Sequence, residues 1–481
     1  MSNPSWTQVI KTADGEQPEL KRALGPGLLL LFIVGDILGT GIYALTGQVA
    51  AEVGGAAWLP FILAFAVATV TALSYLELVT KYPQAAGAAL YTHKAFGIHF
   101  FTFIVCFIVM MSGITSAATA SRAFAVNLTV GFALPADNTV TLLIAVAFIV
   151  LIMLVNLRGV TESVWLNVVL TLVELSGLLL VIMIGLWAIA GGNADLSRVV
   201  AFETPEDKGL VLAVSTATSL AFFAMVGFED SVNMAEETKN PTKIFPRIML
   251  TGLGITAVVY VLVSICVVAL VPIGKLAGSE TPLVDAVQAA APDFPIADLL
   301  PFISMFAVAN TALINMMMAS RLLYGMSKQR VLPSFLSKVQ PKRRTPWAAI
   351  VFTSALAVGL IVYVSLDPEG SVVALLGGTT SLLLLAVFAV VNVTVLVLRR
   401  KPVDHKHFRT ARPLPIIGAI SCLYLVFPWT SGRPVGQYGI ALVLLAIGVV
   451  LWAIARAFTP RRNDRDAPPR VDADAPAPRD R

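Results

Sequence analysis

Long apolar stretches alternate with short polar segments along most of this chain. The apolar stretches cover residues 27–51, 57–80, 98–131, 139–156, 164–190, 210–235, 247–272, 296–323, 347–366, 371–398, 413–430 and 436–457. Because an α-helix rises about 1.5 Å per residue, helices of this length cross the roughly 30 Å hydrocarbon core of a bilayer. The pattern predicts an all-α integral membrane protein with twelve transmembrane helices.

The composition agrees with this fold class. The 481 residues are 57% hydrophobic and 13% charged, whereas soluble domains carry about 25% charged residues. The net charge of +5 is spread over the polar segments, without a zinc, phosphate-loop or RNA-binding signature, so we expect no nucleic-acid partner. All three cysteines lie within apolar stretches, which is not the spacing of a disulfide framework or a metal site. We expect no bound metal or cofactor.

The two ends of the chain differ in composition from the rest. Residues 1–22 are polar and lack the basic-then-apolar order of a signal peptide, so we expect a cytoplasmic N-terminal segment. Residues 23–458 form the predicted transmembrane domain. Residues 459–481 are rich in Pro, Arg, Asp and Ala, with too few apolar residues to pack, which predicts a disordered cytoplasmic tail.

The distribution of Lys and Arg predicts the orientation in the membrane. One set of alternate loops holds most of the basic residues, including the runs at 342–344 and 399–401. The opposite set holds only Arg198, Lys208, Lys275 and Arg433. Cytoplasmic loops carry the excess of basic residues, so both termini are expected in the cytoplasm of a multi-pass protein of the plasma (inner) membrane.

The first apolar stretch contains an unusual segment, residues 35–41, which reads GDILGTG. Each glycine costs about 1 kcal/mol of helix propensity, and a carboxylate within a membrane costs several. Backbone can leave the helix in a membrane only where it faces protein or a water-filled cavity, and its freed N–H and C=O groups can then bind a ligand. A small-residue packing face is the alternative, and Asp36 favours the binding site.

A second interruption is predicted in the sixth stretch, where residues 221–230 read AFFAMVGFED. Breaks five helices apart fit two inverted five-helix repeats. Half-helix N-termini bind a carboxylate, and freed carbonyls accept from an ammonium. An α-amino acid carries both groups on one carbon, so it suits two facing breaks best.

The chain resembles a known family at these and two further places. Residues 35–43, GDILGTGIY, resemble the first-helix pattern of the amino acid-polyamine-organocation permeases. Residues 75–87, 222–246 and 320–333 agree with later motifs of that family in the right order. The resemblance runs from about Leu24 to Trp452. It implies the leucine-transporter-type fold, a 5+5 inverted repeat with broken helices 1 and 6, and amino acid transport by alternating access.

The resemblance also implies binding residues. The substrate carboxylate would meet Thr40 and the backbone of Gly39 and Gly41. The ammonium would meet carbonyls near Ile37, Phe223 and Val226.

The side chain at Phe223 corresponds to an aromatic that closes over the substrate in many family members, whereas Phe222 is expected in the core. Ser112, Ser116 and Thr119 share one face of the third helix, and Asn315 lies inside the eighth. These residues either line the side-chain pocket or form a polar packing face.

Three buried acids need an explanation. Asp36 either pairs with a cationic substrate, takes part in proton transfer, or makes a structural hydrogen bond. Glu174 stands where many family members have a lysine that replaces a sodium ion, so it accepts a proton, helps to hold a cation, or forms an ion pair with Arg122. Glu229 is either functional or fixes the broken helix by accepting backbone N–H groups.

The sequence therefore predicts a secondary active amino acid permease, coupled to protons or working as an exchanger, with H⁺ favoured over Na⁺. A cationic amino acid is the preferred substrate because it would use both the acids and the carboxylate-binding N-terminus. A polyamine permease of the same fold is the alternative, with an integral membrane enzyme or a channel as rivals of other classes. No cluster of catalytic groups favours an enzyme. The sequence leaves the oligomeric state open.

Overall fold

Helices make up nearly all of the described structure. A computed structural model describes residues 24–83, 87–135, 137–158, 163–205, 208–279, 281–292, 296–328, 334–340, 343, 345–365 and 372–458. The expected N-terminal segment and C-terminal tail lie outside these residues. Within them, the β-structure consists of isolated bridges between Leu24 and Thr238 and between Gly54 and Phe202.

The helices follow the apolar stretches closely. They are α1 (Pro26–Ile37), α2 (Thr40–Val53), α3 (Trp58–Lys81), α4 (Gly87–Phe96), α5 (His99–Gly131), α6 (Asn138–Arg158), α7 (Ser163–Ala190), α8 (Leu210–Ala221), α9 (Pro241–Leu270), α10 (Ile273–Ala277), α11 (Pro282–Ala290), α12 (Ile296–Lys328), α13 (Trp347–Ser365), α14 (Val372–Leu398), α15 (Leu414–Val426), α16 (Pro428–Ser431) and α17 (Val435–Phe458). Short 3₁₀ helices occur at Gly55–Ala57, Arg198–Val200, Phe222–Met225, Asp230–Glu237 and Ser334–Ser337.

Eleven helical segments in the described part of the chain are long and apolar enough to cross a membrane. This confirms the all-α membrane class. The predicted stretch 413–430 differs, because it forms the 13-residue helix α15 and then the short helix α16. Pro428 lacks the N–H that would continue α15, so the helix ends before it. Helix α15 is shorter than the roughly 20 residues of a typical span, and the twelfth span stays a prediction.

The first and sixth spans lie at the centre of the bundle. Within the 18 most apolar consecutive residues of each span, 83% are buried in the first span (Pro26–Val53) and 78% in the sixth (Leu210–Ala235). The corresponding share is only 33% for Asn138–Arg158 and 28% for Val435–Ile454. The interrupted spans are therefore surrounded by protein, as non-helical backbone in a membrane requires.

Both predicted interruptions are present. Helix α1 ends at Ile37 and α2 begins at Thr40, with Gly39 between them at φ 138°. Helix α8 ends at Ala221, a 3₁₀ turn follows, and Gly227 has φ 127°. L-residues rarely adopt such positive φ values, so glycine permits the chain to leave the helix at both points.

The two breaks touch each other through backbone. A Cβ atom added to Gly227 would lie 2.6 Å from the carbonyl oxygen of Asp36, and one added to Gly41 would lie 2.5 Å from Cα of Ala224. Any side chain at either position would separate the breaks. The small residues therefore determine how closely the two breaks approach.

An ion pair fixes the ends of α3 and α14 on the side predicted to be cytoplasmic. Arg399 donates from Nε and Nη2 to the two carboxylate oxygens of Glu77, at 2.8 and 2.7 Å. These hydrogen bonds raise the pKa of Arg399 above its ordinary value. Glu77 also accepts the N–H of Thr410 at 3.0 Å. This two-point arginine–carboxylate contact holds the segment after α14 against α3.

The contact between the breaks generates a test of stability. Gly227→Ala should lower the melting temperature of the purified protein in detergent, because a non-glycine residue in such a conformation costs about 1–3 kcal/mol before any clash. Gly254→Ala on α9 is the matched control, since an added Cβ there meets nothing within 4 Å. Equal melting temperatures for the two variants would contradict the proposed role of Gly227.

Candidate functional site

A narrow cavity lies between the two breaks and helices α5 and α12. Its walls are formed by Asp36, Ile37, Leu38, Thr40, Gly41, Ser116, Phe223, Val226, Gly227, Asp230, Thr311 and Asn315. We call it the central cavity. It unites most of the site residues expected from the sequence.

The central cavity is closed around a very small space. It leaves about 10 Å³ for the centre of a water molecule, which is about the space that a single water needs. An amino acid does not fit without movement of the surrounding helices. The structure therefore describes a closed conformation of the site.

The ends of two half-helices face the central cavity with opposite partial charges. Helix α2 begins at Thr40, and no side chain caps its N-terminus. Its first N–H groups therefore present a partial positive charge. Helix α1 ends at Ile37, whose carbonyl oxygen accepts a hydrogen bond from the hydroxyl of Tyr260 at 2.6 Å. One carbonyl expected to face a ligand thus already has a partner, and Tyr260 was not foreseen from the sequence.

Several buried polar atoms of the central cavity have no hydrogen-bond partner. They are Oδ2 of Asp36 and the hydroxyl oxygens of Thr40 and Thr311. All three residues are less than 9% exposed. Buried polar groups in proteins nearly always have a partner, so three such atoms around one cavity point to a group that enters it.

The acid Glu229 has a structural contact. Its Oε2 atom accepts the backbone N–H of Gly227 at 2.9 Å. The N–H of Asp230 binds the carbonyl oxygen of Gly227 at 3.1 Å. Glu229 thus holds the second break, which is one of the two roles the sequence offered for it. Asp230 instead lines the central cavity.

A second small cavity extends from the central one along α5 and α12, and we call it the adjoining cavity. It is lined by Val109, Ser112, Gly113, Val226, Glu229, Asp230, Asn315, Met318, Ala319, Leu322 and Leu384. Asp230 and Asn315 belong to both cavities. Ser116 therefore lines the central cavity, and Ser112 lines the adjoining cavity. The Thr119 hydroxyl instead donates a hydrogen bond to the carbonyl oxygen of Thr115 within the same helix.

The acid Glu174 lies behind the first break and not in the wall of either cavity. It is 0% exposed, and both of its carboxylate oxygens lack a hydrogen-bond partner. Its Oε1 atom is 3.6 Å from the position of a Cβ added to Gly39. The ion pair with Arg122, one of the three roles considered for Glu174, does not form, because both carboxylate oxygens of Glu174 lack a partner. Arg122 donates instead to Oδ1 of Asn138 at 3.0 Å.

The two neighbouring phenylalanines have different surroundings. Phe223 lines the central cavity and packs close to Gly377 of α14, whose added Cβ would lie 3.5 Å from the ring. Phe222 is fully buried and meets the ring of Phe388 edge-on, at a centroid distance of 5.9 Å. Phe223 therefore forms part of the cavity wall, and Phe222 belongs to the core as expected.

Sequence reasoning missed Thr311. This residue precedes Asn315 by one helical turn, so the two share a face of α12. The signal was available once Asn315 had been assigned to the site, since a second polar side chain at that spacing marks the same face. A larger groove, of about 750 Å³, lies between α6 and α13 and is lined by apolar residues such as Leu151 and Trp347 together with Arg158, Gln340 and Arg343. It shares no residue with the breaks.

Comparison with known proteins identifies relatives over most of the chain. A sequence model of the family described as amino acid permease matches residues 28–453. The branched-chain amino acid permease BcaP of Bacillus subtilis (strain 168) is 27% identical over 468 residues, which cover 93% of this chain and 96% of that protein.

Two further relatives are named for other substrates. The methylthioribose transporter of Bacillus subtilis (strain 168) is 29% identical over 434 residues, covering 86% of this chain and 90% of its own length. The chloroplastic cationic amino acid transporter 9 of Arabidopsis thaliana is 29% identical over 357 residues, covering 70% and 60%. These relatives are transporters and not enzymes. Since the family model spans nearly the whole membrane domain, the chain belongs to the amino acid permease family.

Proposed function

We propose that this protein is a secondary active permease that moves α-amino acids, preferably cationic ones, across the plasma membrane by alternating access. The observation that carries the proposal is the pair of touching helix breaks around a closed cavity with unpartnered polar atoms. The proposed transport needs no cofactor beyond a coupling ion.

The proposed architecture has twelve transmembrane helices, with α15 as the eleventh, and both termini in the cytoplasm. Breaks in the first and sixth spans support two inverted repeats of five helices, because such repeats put equivalent interruptions five helices apart. The bias of basic residues toward one set of loops supports the orientation.

The amino acid backbone would bind across the two breaks. Its carboxylate would meet the N-terminus of α2, where the uncapped N–H groups and the Thr40 hydroxyl lie together. Its ammonium would meet Asp36 and the carbonyls near Val226. Thr311 offers a further hydroxyl from α12.

The cationic side chain would extend toward Asp230. Of the described residues, those lining the central and adjoining cavities include three acids, Asp36, Glu229 and Asp230, and no lysine or arginine. A substrate with a positive side chain would balance this charge. A polyamine would also balance it but would leave the N-terminus of α2 unused, so we favour the amino acid.

Proton coupling is assigned to Glu174, with Asp36 as its neighbour at the first break. An ionised carboxylate without a partner costs several kcal/mol when fully buried. Glu174 is therefore stable in this closed conformation as the neutral acid. Movement of the first break during transport would change the surroundings of Glu174 and allow its carboxyl group to release the proton.

The transport proposal is tested with purified protein in liposomes and a panel of labelled amino acids and amines. Each compound is offered with an imposed proton gradient, a sodium gradient, or unlabelled substrate inside. We expect saturable, proton-driven uptake of cationic amino acids. Uptake of amines alone would reject the amino acid site and favour the polyamine alternative.

The carboxylate site is tested by Thr40→Val. The Thr40 hydroxyl has no partner in the protein, so its loss should not lower the melting temperature. Loss of the hydroxyl should raise the KM for the transported amino acid about 5- to 30-fold, which is equivalent to one hydrogen bond of about 1–2 kcal/mol. Thr353→Val is the control, because that hydroxyl bonds only carbonyls of its own helix. An unchanged KM in Thr40→Val would remove Thr40 from the site.

Asp230→Asn tests the side-chain subsite. We expect the KM for arginine to rise at least about tenfold, as loss of one charge-assisted contact predicts. Uptake or competition by citrulline, which has nearly the same shape without the charge, should change much less. Equal effects on the two compounds would mean that Asp230 does not recognise the cation.

Glu174→Gln tests coupling. The variant should lose proton-driven accumulation while it retains exchange of internal for external substrate, because exchange needs no net proton movement. Glu52→Gln is the matched control, since Glu52 forms a half-buried ion pair with Lys208 at 2.8 Å, outside the centre of the bundle. Proton-driven accumulation that persists in Glu174→Gln would assign coupling to another group.

A further inference from the structure

Arg433, between α16 and α17, is a buried cation with an unusual set of partners. It is 5% exposed. All five of its N–H groups donate hydrogen bonds, to Leu425 O at 2.9 Å, Gly378 O at 2.8 Å, Gln437 Oε1 at 3.0 Å, Ser219 O at 3.2 Å and Ser381 Oγ at 2.7 Å. None of these acceptors is a carboxylate.

Helix ends compensate the charge. Ser219 lies in the last turn of α8 and Leu425 in the last turn of α15, where the carbonyl groups carry the partial negative charge of the helix. Burial lowers the pKa of Arg433 to about 10, which leaves the guanidinium charged at neutral pH. The cation is therefore stable where it joins these two helices.

The same side chain connects α8 to α14. The Ser219 carbonyl accepts from Arg433 and also from the hydroxyl of Ser381 on α14, at 2.6 Å. The carbonyl oxygen of Gly378 on α14 also accepts from Arg433. Gly378 follows Gly377 in the chain, and Gly377 packs close to Phe223. Arg433 thus joins α8 and α14 next to the Phe223 ring, which lines the central cavity.

The surrounding segment also lies against α8. Gly432 has φ 60°, and a Cβ added to it would collide with the hydroxyl of Thr216 on α8. Ser215 of α8 forms a hydrogen bond with the hydroxyl of Tyr424 on α15 at 3.0 Å. The half-helix before the second break is therefore covered by the segment that carries Arg433.

We propose that Arg433 is a positioning residue that holds α8 against α14, so that the central cavity opens toward the outside only when the guanidinium releases α8. The inference rests on the proposed transport function and orientation. Entry from outside requires Phe223 to leave Gly377, and this movement separates the two elements that Arg433 joins.

The test measures how often the outer side opens. Leu45 of α2 packs at the same place, since an added Cβ on Gly377 would lie 3.2 Å from its Cδ1 atom. Leu45→Cys is introduced after replacement of the native Cys106, Cys266 and Cys422 by alanine. A membrane-impermeant maleimide is added outside sealed vesicles of known orientation, and the labelling rate is measured.

We expect Arg433→Met to increase labelling at Leu45→Cys about tenfold, which corresponds to about 1.4 kcal/mol in the opening equilibrium. Arg433→Lys should give a smaller increase, because an ammonium has three donors where the guanidinium has five. Ser381→Ala keeps the cation and removes one acceptor, so it should increase labelling a few-fold even if Arg433→Met does not fold.

Two controls separate positioning from general loosening. Arg198→Met removes an arginine of the same side, whose ion pair with Asp195 is exposed, and should leave labelling unchanged. A second probe, Ala349→Cys, lies in the buried core on α13 and lines neither cavity, so it should not gain reactivity toward the same reagent.

Equal labelling of Leu45→Cys in the parent, in folded Arg433→Met and in Ser381→Ala would overturn the proposal, as would a parallel increase at Ala349→Cys. Uptake by the parent protein is measured separately. Absence of uptake would reject the proposed function, whereas normal uptake with unchanged labelling would reject only the role of Arg433.

Discussion

Two stretches of non-helical backbone lie in contact at the centre of the bundle, and the rest of the site depends on this contact. Each break would be too costly in lipid, where unpaired N–H and C=O groups have no partners. Here Gly227 lies against the carbonyl of Asp36, and Gly41 lies against Ala224, so each break covers the other. The contact also brings the N-terminus of α2 and the end of α1 to one narrow space. The electrostatics of the central cavity follow directly from it.

The charged groups around the breaks fall into two kinds. Glu229 accepts a backbone N–H and is part of the scaffold. Asp36 and Glu174 instead have carboxylate oxygens without a hydrogen-bond partner. Arg433 is the opposite case, because every one of its donors has an acceptor. Full satisfaction is typical of a group that holds helices together, whereas missing partners are typical of a group that acts on a ligand or a proton.

The site could be predicted to the level of elements and several residues. Glycines beside acids in apolar stretches predicted both breaks. The sequence also indicated Thr40 and Phe223 as site residues and offered Asn315 as a pocket residue. Thr311 was missed although its spacing to Asn315 marks the same helix face. Tyr260 was missed because a single hydroxyl in a long apolar helix has no local signature. The ion pair of Glu174 with Arg122, one of three roles considered for that acid, does not form, since the sequences of two helices do not reveal which of their side chains meet.

The sequence by itself determined the membrane class, the positions of most spans and the two points where helices stop. Hydrophobicity and glycine propensity act between neighbours in the chain, so these features can be read locally. Only the tertiary structure decided which buried polar groups have partners and that Arg433 joins α8 to α14. These outcomes depend on which helix faces meet, and residues far apart in sequence, such as Ser219, Gly378 and Arg433, become neighbours only when the bundle is packed.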